Sequence, residues 1–360
     1  MIIQLPSSVE DNQKLTAASA NRSKPYPIYA QLHELAWSEG ACSGIPASEF
    51  YTTPEKMVYG QQEVAERYGF QTTGVDYDVY NIEAEGLGQP VIYSVDSLPE
   101  LDRRAPLITS PADIRKIRTP DFDSVGRFNT ILEAQALFQK ASGLVPTLQF
   151  CAPFSLAASL RGVEAFITDI YTNPGFARGL LAALVEEVLI PWIRYQKRQF
   201  PTATSIAGAD ALASLPLVNL NILSQWVIPA ILRLREACGA EVNVSNWWGE
   251  SWLKQPEQML ALKIRVCPHL LKGQDPDLEK LGAGFYQAIA AKYDVPLVLG
   301  LGAGYLARST PEQVRQRVRQ IIREAGENGR LALYLCSLNA ATPRQNIMAA
   351  VEAASVGRGE

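Results

Sequence analysis

Acidic, aromatic and thiol side chains stand just behind the short apolar, β-rich runs of this sequence. Asp76 and Asp78 end the run 73–80, Gln149 and then Phe154 and Ser155 follow 145–150, and Asp210 closes Ile-Ala-Gly-Ala-Asp after 204–208. Behind 241–245 come Asn246, Trp247, Trp248, Gly249 and Glu250, and behind 269–273 come Gln274, Asp275, Pro276 and Asp277. Tyr305 follows 296–300, and Cys336 with Ser337 ends 331–336. Carboxyl groups so placed can hold or donate a proton or ligate a cation. Paired indoles before a glycine and a glutamate suit a flat ligand, and a thiol ligates metal or attacks once ionised. Each has a plainer reading: Asp275 and Asp277 would equally cap a helix starting near Leu278, the tryptophans would equally pack a core, and Cys336 would equally be a buried structural thiol.

Other chemistries are closed off. His33 and His269 are the only histidines, so no three-histidine metal site can form. The five cysteines (Cys42, Cys151, Cys238, Cys267, Cys336) are odd in number and contain no Cys-x-x-Cys, which argues against a disulfide framework or zinc knuckle. Cys267-Pro268-His269 looks metal-like but precedes a strand, placing it at the opposite rim. In Gly300-Leu301-Gly302-Ala303-Gly304 the third glycine is misplaced for a dinucleotide loop, and the next helix is expected to open only at Thr310. P-loop, GxSxG, HExxH and EF-hand motifs are absent.

Such side chains need a scaffold that gathers strand ends at one mouth, as a parallel α/β barrel does. From about residue 70 the β-rich runs alternate with amphipathic helical stretches, the pattern of parallel strands covered by helices. The expected strands are 73–80, 145–150, 204–208, 241–245, 269–273, 296–300 and 331–336, with 90–94 as the place to look for an eighth. Thr310-Pro311-Glu312-Gln313 carries a capping box with Pro at the first helical position, and Thr342-Pro343-Arg344-Gln345 repeats the device. Pro191 within 176–200 predicts a kink, and Pro229 stands similarly within 220–238. The fold class expected is therefore α/β, a single distorted (β/α)8 barrel over residues 69–360, with residues 1–68 as an N-terminal extension of helices and loops.

Length and composition agree with that scheme. The 360 residues are 47% hydrophobic, enough for one enlarged barrel, and 33 basic against 37 acidic side chains give a net charge of -4, no field for a polyanion. Nucleic acid is not an expected partner. The N-terminus has neither a basic n-region nor an apolar h-region, and the greasiest segment, 180–193, is broken by Glu186, Glu187 and Pro191, so the expectation is a cytoplasmic chain without a membrane span.

In order along the chain, several pieces resemble the uroporphyrinogen decarboxylase superfamily from about Tyr59 onward. They are Tyr68-Gly69-Phe70 with Asp76 and Asp78, Glu83-Ala84-Glu85-Gly86-Leu87-Gly88, Ala152-Pro153-Phe154-Ser155-Leu156-Ala157 with Leu160-Arg161-Gly162, Gly208-Ala209-Asp210, the stretch 302–314, and Thr342-Pro343-Arg344-Gln345-Asn346-Ile347. The resemblance implies the distorted (β/α)8 barrel and two branches of chemistry. Decarboxylases of the family hold a carboxylate-rich tetrapyrrole with an arginine-rich N-terminal loop and a final-strand His, whereas here residues 1–66 offer only Arg22 and the final strand reads Tyr334-Leu335-Cys336-Ser337. Cobalamin-dependent methyltransferases of the family use zinc through a His-x-Cys and a last-strand Cys; Cys336 matches the latter, while the former reads Asn243-Val244-Ser245.

The resemblance is thus closer to the methyltransferase branch, which moves a methyl group from a methoxylated or methylamine-type donor to a corrinoid protein. It implies Glu250, Asp210 and Asp78 as catalytic residues, Phe154, Trp247, Trp248, Asp275 and Tyr305 around the substrate, and Cys336 with Glu250 as metal ligands. Zinc is the implied metal, and cobalamin carried by a partner protein the implied cofactor; a homodimer is the expected assembly. The alternatives are a tetrapyrrole decarboxylase with divergent binding residues and a non-catalytic small-molecule-binding barrel.

Overall fold

A computed structural model describes residues 25–40, 42–327 and 329–355; Arg22 and the reading of the N-terminal leader lie outside these. Nine strands occur among the described residues: β1 (Ile28–Ala30), β2 (Val91–Ile92), β3 (Glu100–Leu101), β4 (Leu148–Cys151), β5 (Ile206–Ala209), β6 (Val242–Val244), β7 (Leu271–Gln274), β8 (Leu297–Gly302) and β9 (Leu331–Cys336). They form one parallel sheet in the order β1-β9-β8-β7, a second parallel sheet β4-β5-β6, and the antiparallel pair β2-β3. Between β4, β5 and β6, and again between β7, β8 and β9, helical connections carry the chain back to the same end of the sheet, which lets the successive strands run parallel. The described residues divide into two compact units, one drawn from those up to Gly44, Met57–Asp76 and those from Trp248 on, the other from Ile45–Lys56 and Tyr77–Trp247. The first holds β1 and β7–β9, the second β2–β6.

Six of the expected strands are present as β4 to β9. The segment 73–80 is not a strand. The side-chain amide of Gln61 accepts from Asp76 N–H (2.9 Å) and donates to Asp76 C=O (2.8 Å), taking the place a neighbouring strand would fill. The stretch 90–94 supplies β2, which pairs with β3 in a separate hairpin register and adds nothing to the parallel sheets. Conversely, β1 arises within the segment read as helices and loops, with Tyr29 in register with Tyr334 of β9.

The helix Pro311–Ala325 has the expected reciprocal cap: Thr310 Oγ1 accepts from Gln313 N–H and Gln313 Oε1 from Thr310 N–H. At the second site the Thr342 hydroxyl accepts from Asn339 N–H (3.3 Å), and the helix is Arg344–Ser355. A helix also opens directly behind β8, Ala303–Arg308, where none was expected before Thr310. The two proline-bearing helices contain π turns, Leu184–Leu189 ahead of Pro191 and Leu223–Val227 ahead of Pro229. The carbonyls four residues before each ring, those of Glu187 and Gln225, lie inside these wider turns, which relieves the clash a regular helix would suffer.

Strand alternation divides each sheet into a helix-covered face and an opposite face. Leu297, Leu299 and Leu301 of β8 and Leu331, Leu333 and Leu335 of β9 are buried on one side, while Val298 and Ala332 pack with Tyr29 on the other. Gly273 of β7 belongs to the helix side, since a Cβ there would stand 2.4 Å from the Tyr286 ring on the helix Ala283–Tyr293. Lys272 and Gln274 therefore project from the opposite face. No helix among the described residues is long and apolar enough to cross a membrane.

Candidate active site

In the unit holding β4–β6, the strand ends converge on Asp210. Gly208 lets β5 run close to its neighbours, because a Cβ there would lie 2.6 Å from the Phe150 ring and 2.7 Å from Val244. Two residues on, Asp210 is fully buried. Its Oδ1 accepts from Ser155 N–H (2.9 Å) in the first turn of the helix Pro153–Arg161, and its Oδ2 accepts from the Trp247 indole (3.1 Å). Asp210 N–H donates to Asn246 Oδ1 (3.0 Å), and Asn246 Nδ2 donates to the Tyr80 hydroxyl (3.2 Å), which also accepts from Ala211 N–H (3.0 Å). Burial raises the Asp210 carboxyl to about 6, opposed by the Ser155 and Trp247 hydrogen bonds. Near neutrality it can exist in either protonation state, as a general acid requires.

A second buried carboxyl lies on the same sheet's edge. Glu83 Oε1 accepts from Cys151 N–H (3.0 Å) at the end of β4, while Oε2 is buried without a hydrogen-bond partner. Burial raises Glu83 to about 8, so it carries a proton at neutral pH. The Cys151 thiol is pushed well above its usual range by burial and then by Glu83 and Asp210. The sequence offered a signal for Glu83 in an acidic residue set among Ile82 and Ala84, but it entered only as part of a family stretch.

The remaining expected residues of this unit have other settings. Asp78 is gripped by both terminal nitrogens of Arg127 (2.8 and 2.6 Å) and by Asn81 Nδ2 (2.7 Å), and Arg127 also pairs with Glu85 (2.8 Å). Phe154 is buried edge-on against Phe166, centroids 5.2 Å apart. The structure thus brings Asp210 and Trp247 together, with Asp78 in an ion-pair network and Phe154 in packing.

In the unit holding β7–β9, Trp248 is partly accessible and Glu250 is buried with both oxygens on Lys263 Nζ (2.9 and 3.0 Å). The Tyr286 hydroxyl donates to Glu250 Oε1 (2.8 Å). Asp277 accepts from Gly249 N–H and Ser251 N–H, capping the turn Glu250–Trp252 from a distance in sequence. Asp275 accepts from Gly302 N–H (2.9 Å) and pairs with Arg317, whose guanidinium lies 4.1 Å over the Tyr305 ring. The Tyr305 hydroxyl donates to Gln313 C=O (3.2 Å).

Cys336 sits on the face away from the helices, its thiol donating to Gln274 Oε1 at 3.5 Å. Gly300 makes room for this contact, since a Cβ there would stand 2.9 Å from Cys336 Sγ and 3.1 Å from Gln274 Cβ. Burial pushes the thiol up to about 12, against the pull of Lys272. Lys272 lies 4.0 Å over the Tyr334 ring, and burial lowers its pKa, opposed by Cys336 and Asp76. Sequence reasoning missed Lys272 because it precedes the strand end by two residues.

A family model described as uroporphyrinogen decarboxylase (URO-D) matches residues 38–356. The chain belongs to the uroporphyrinogen decarboxylase family. Among solved structures, a methyltransferase from Methanosarcina mazei has a TM-score of 0.75 at 18% identity, covering 95% of this chain and 97% of its own. That likeness establishes a shared fold and bears out the α/β barrel class expected for a uroporphyrinogen decarboxylase family member. No curated protein sequence matches the chain.

Zinc, which the resemblance implied for this family, can be tested against the side chains present. Cys336 is flanked by a neutral amide and an ammonium, which repels a second cation, and the Glu250 oxygens are taken by Lys263 and Tyr286. Among the described residues no three His, Cys, Asp or Glu side chains are grouped closely enough to hold a metal ion. These residues do not fit zinc.

Proposed function

We propose that this member of the uroporphyrinogen decarboxylase family is an enzyme that transfers a methyl group from a small methoxylated or methylamine-type donor to a corrinoid carried by a partner protein. The observation that carries the proposal is Asp210, a buried carboxyl at the end of β5 raised to about 6 and fixed by Trp247 and Ser155. When the methyl group passes to the corrinoid, the carbon–heteroatom bond breaks and its electron pair stays on the heteroatom, which leaves more readily with a proton. Each Asp210 oxygen accepts one hydrogen bond, which leaves capacity for a proton. Protonated Asp210 supplies that proton, and the indole and the helix N–H then stabilise the resulting carboxylate. Asp210 takes the acid role in this reading because Glu250 is engaged by Lys263 and Tyr286. The fold shared with the Methanosarcina mazei methyltransferase supports the same reading.

Purified protein incubated with cob(I)alamin and a panel of methoxylated and N-methylated donors is expected to generate methylcobalamin absorbance with at least one donor. Asp210→Asn is expected to slow that donor's reaction by about a hundredfold or more. No methylcobalamin from any donor refutes the proposal, and conversion of uroporphyrinogen to coproporphyrinogen would assign the protein to the carboxy-lyases instead.

A further inference from the structure

The face of the β7–β9 sheet turned away from the helices carries a cation that forms no ion pair among the described residues. Lys272 and Gln274, two residues apart on β7, share that face with Tyr334 and Cys336 of β9. Other buried cations of the chain have carboxylates: Lys263 sits on Glu250, Arg127 on Asp78 and Glu85, and Arg317 on Asp275. Lys272 makes no ion pair among the described residues and rests on the π-face of Tyr334. The carboxylate acting on it from a distance is Asp76, whose Oδ2 already accepts from Leu32 N–H (3.0 Å). A secluded ammonium lacking a partner is strongly disfavoured, and an anion arriving from solution would remove that penalty.

Gln274 supplies the second half of a recognition site. Its Oε1 is occupied by the Cys336 thiol, which fixes the amide so that Nε2, with no hydrogen bond among the described residues, is the outward end. Gly300 clears the space in which these two side chains meet. Lys272, Gln274, Tyr334 and Cys336 are all partly accessible, so solutes reach this face. We propose that Lys272 and Gln274 Nε2 form a binding site for the carboxylate of a small organic acid. The ammonium provides the charge, the amide a directional hydrogen bond, and the Tyr334 ring a wall for the apolar part of the acid.

Calorimetric titration without corrinoid tests this, using pairs that differ only in the anionic group: 4-methoxybenzoate against 4-methoxybenzyl alcohol, and N,N-dimethylglycine against N,N-dimethylethanolamine. At least one acid is expected to bind the wild-type chain about tenfold or more tightly than its alcohol, the size of one charge-assisted hydrogen bond. Lys272→Gln is expected to abolish the preference, Lys272→Arg to keep most of it, and Gln274→Met to reduce it severalfold. Equal binding of acid and alcohol, no binding of either acid, or an undiminished preference in folded Lys272→Gln protein would overturn the inference. Should Lys272→Gln not fold, an undiminished preference in Gln274→Met would do so.

Discussion

Replacing Asp210 by Asn isolates the energetic consequence of burying that carboxyl. The folded chain holds the Asp210 proton more tightly than the unfolded one, its pKa moving from the ordinary 3.8 to about 6. Stability contributed by the protonated group is therefore complete below 3.8, declines as pH rises through about 6, and is level above that. About two pH units at about 1.4 kcal/mol each amounts to roughly 3 kcal/mol lost across this window. Asn keeps the shape but cannot titrate, and its NH2 must face either Ser155 N–H or the Trp247 indole, a pH-independent penalty of about 1–3 kcal/mol. Urea unfolding of both proteins from pH 3.5 to 8 should show Asp210→Asn the weaker at the acid end. The gap should then narrow by about 3 kcal/mol toward pH 7, closing or reversing. Subtraction cancels every other titrating group. A gap that stays constant, or that widens as pH rises, refutes the assignment of a raised pKa and with it the acid role.

Lys263→Met should cost about 3–5 kcal/mol in urea unfolding, because Glu250 is left buried with Tyr286 alone, and adding Glu250→Gln should recover part of the loss. Glu83→Gln should match the wild type within about 1 kcal/mol at pH 4. It should gain on the wild type as pH climbs from 4.5 toward 8, since the wild-type carboxyl is raised to about 8; parallel pH–stability curves would contradict this. Gly273→Ala forces a Cβ to within 2.4 Å of the Tyr286 ring and should lower stability by roughly 1–3 kcal/mol, read from the thermal midpoint. Elemental analysis of purified protein should find well below one zinc per chain, a value that Cys336→Ala leaves unchanged.

The parallel strands were legible because a buried strand ending in small or polar residues is a local pattern, and β4 to β9 lie where those patterns fall. What escaped was decided by partners distant in sequence. The run 73–80 has strand composition, yet Gln61 satisfies its backbone at Asp76. β1, three residues long, exists because β9 offers it an edge. The same holds at the site. Position after a strand identified Asp210 and Trp247, whose indole–carboxylate contact follows from neighbouring strand ends. Glu250 and Asp78 occupy equally suggestive positions, but Lys263 and Arg127, which engage them, come thirteen and forty-nine residues later. Lys272 lies within its strand rather than behind it, so no rule about strand ends could have singled it out.

The π turns ahead of Pro191 and Pro229 carry a consequence for insertion and deletion. Each residue of a regular helix advances the side-chain direction by about 100°, and a π turn holds one residue more than the α turn it replaces. The stripes that Leu180 and Leu181 begin and that Trp192 and Ile193 continue are therefore out of phase by one residue, though both are buried. Deleting a single residue between 184 and 189 would let a regular α-helix carry both stripes and leave Trp192 on its Phe122 and Phe128 neighbours, whereas forcing the full-length segment into a regular helix would turn Ile190–Gln199 by about a quarter of a circle and swing Trp192 off them. The irregular turn acts as a phase adjuster, joining two short amphipathic helices whose core-facing stripes no continuous α-helix could align.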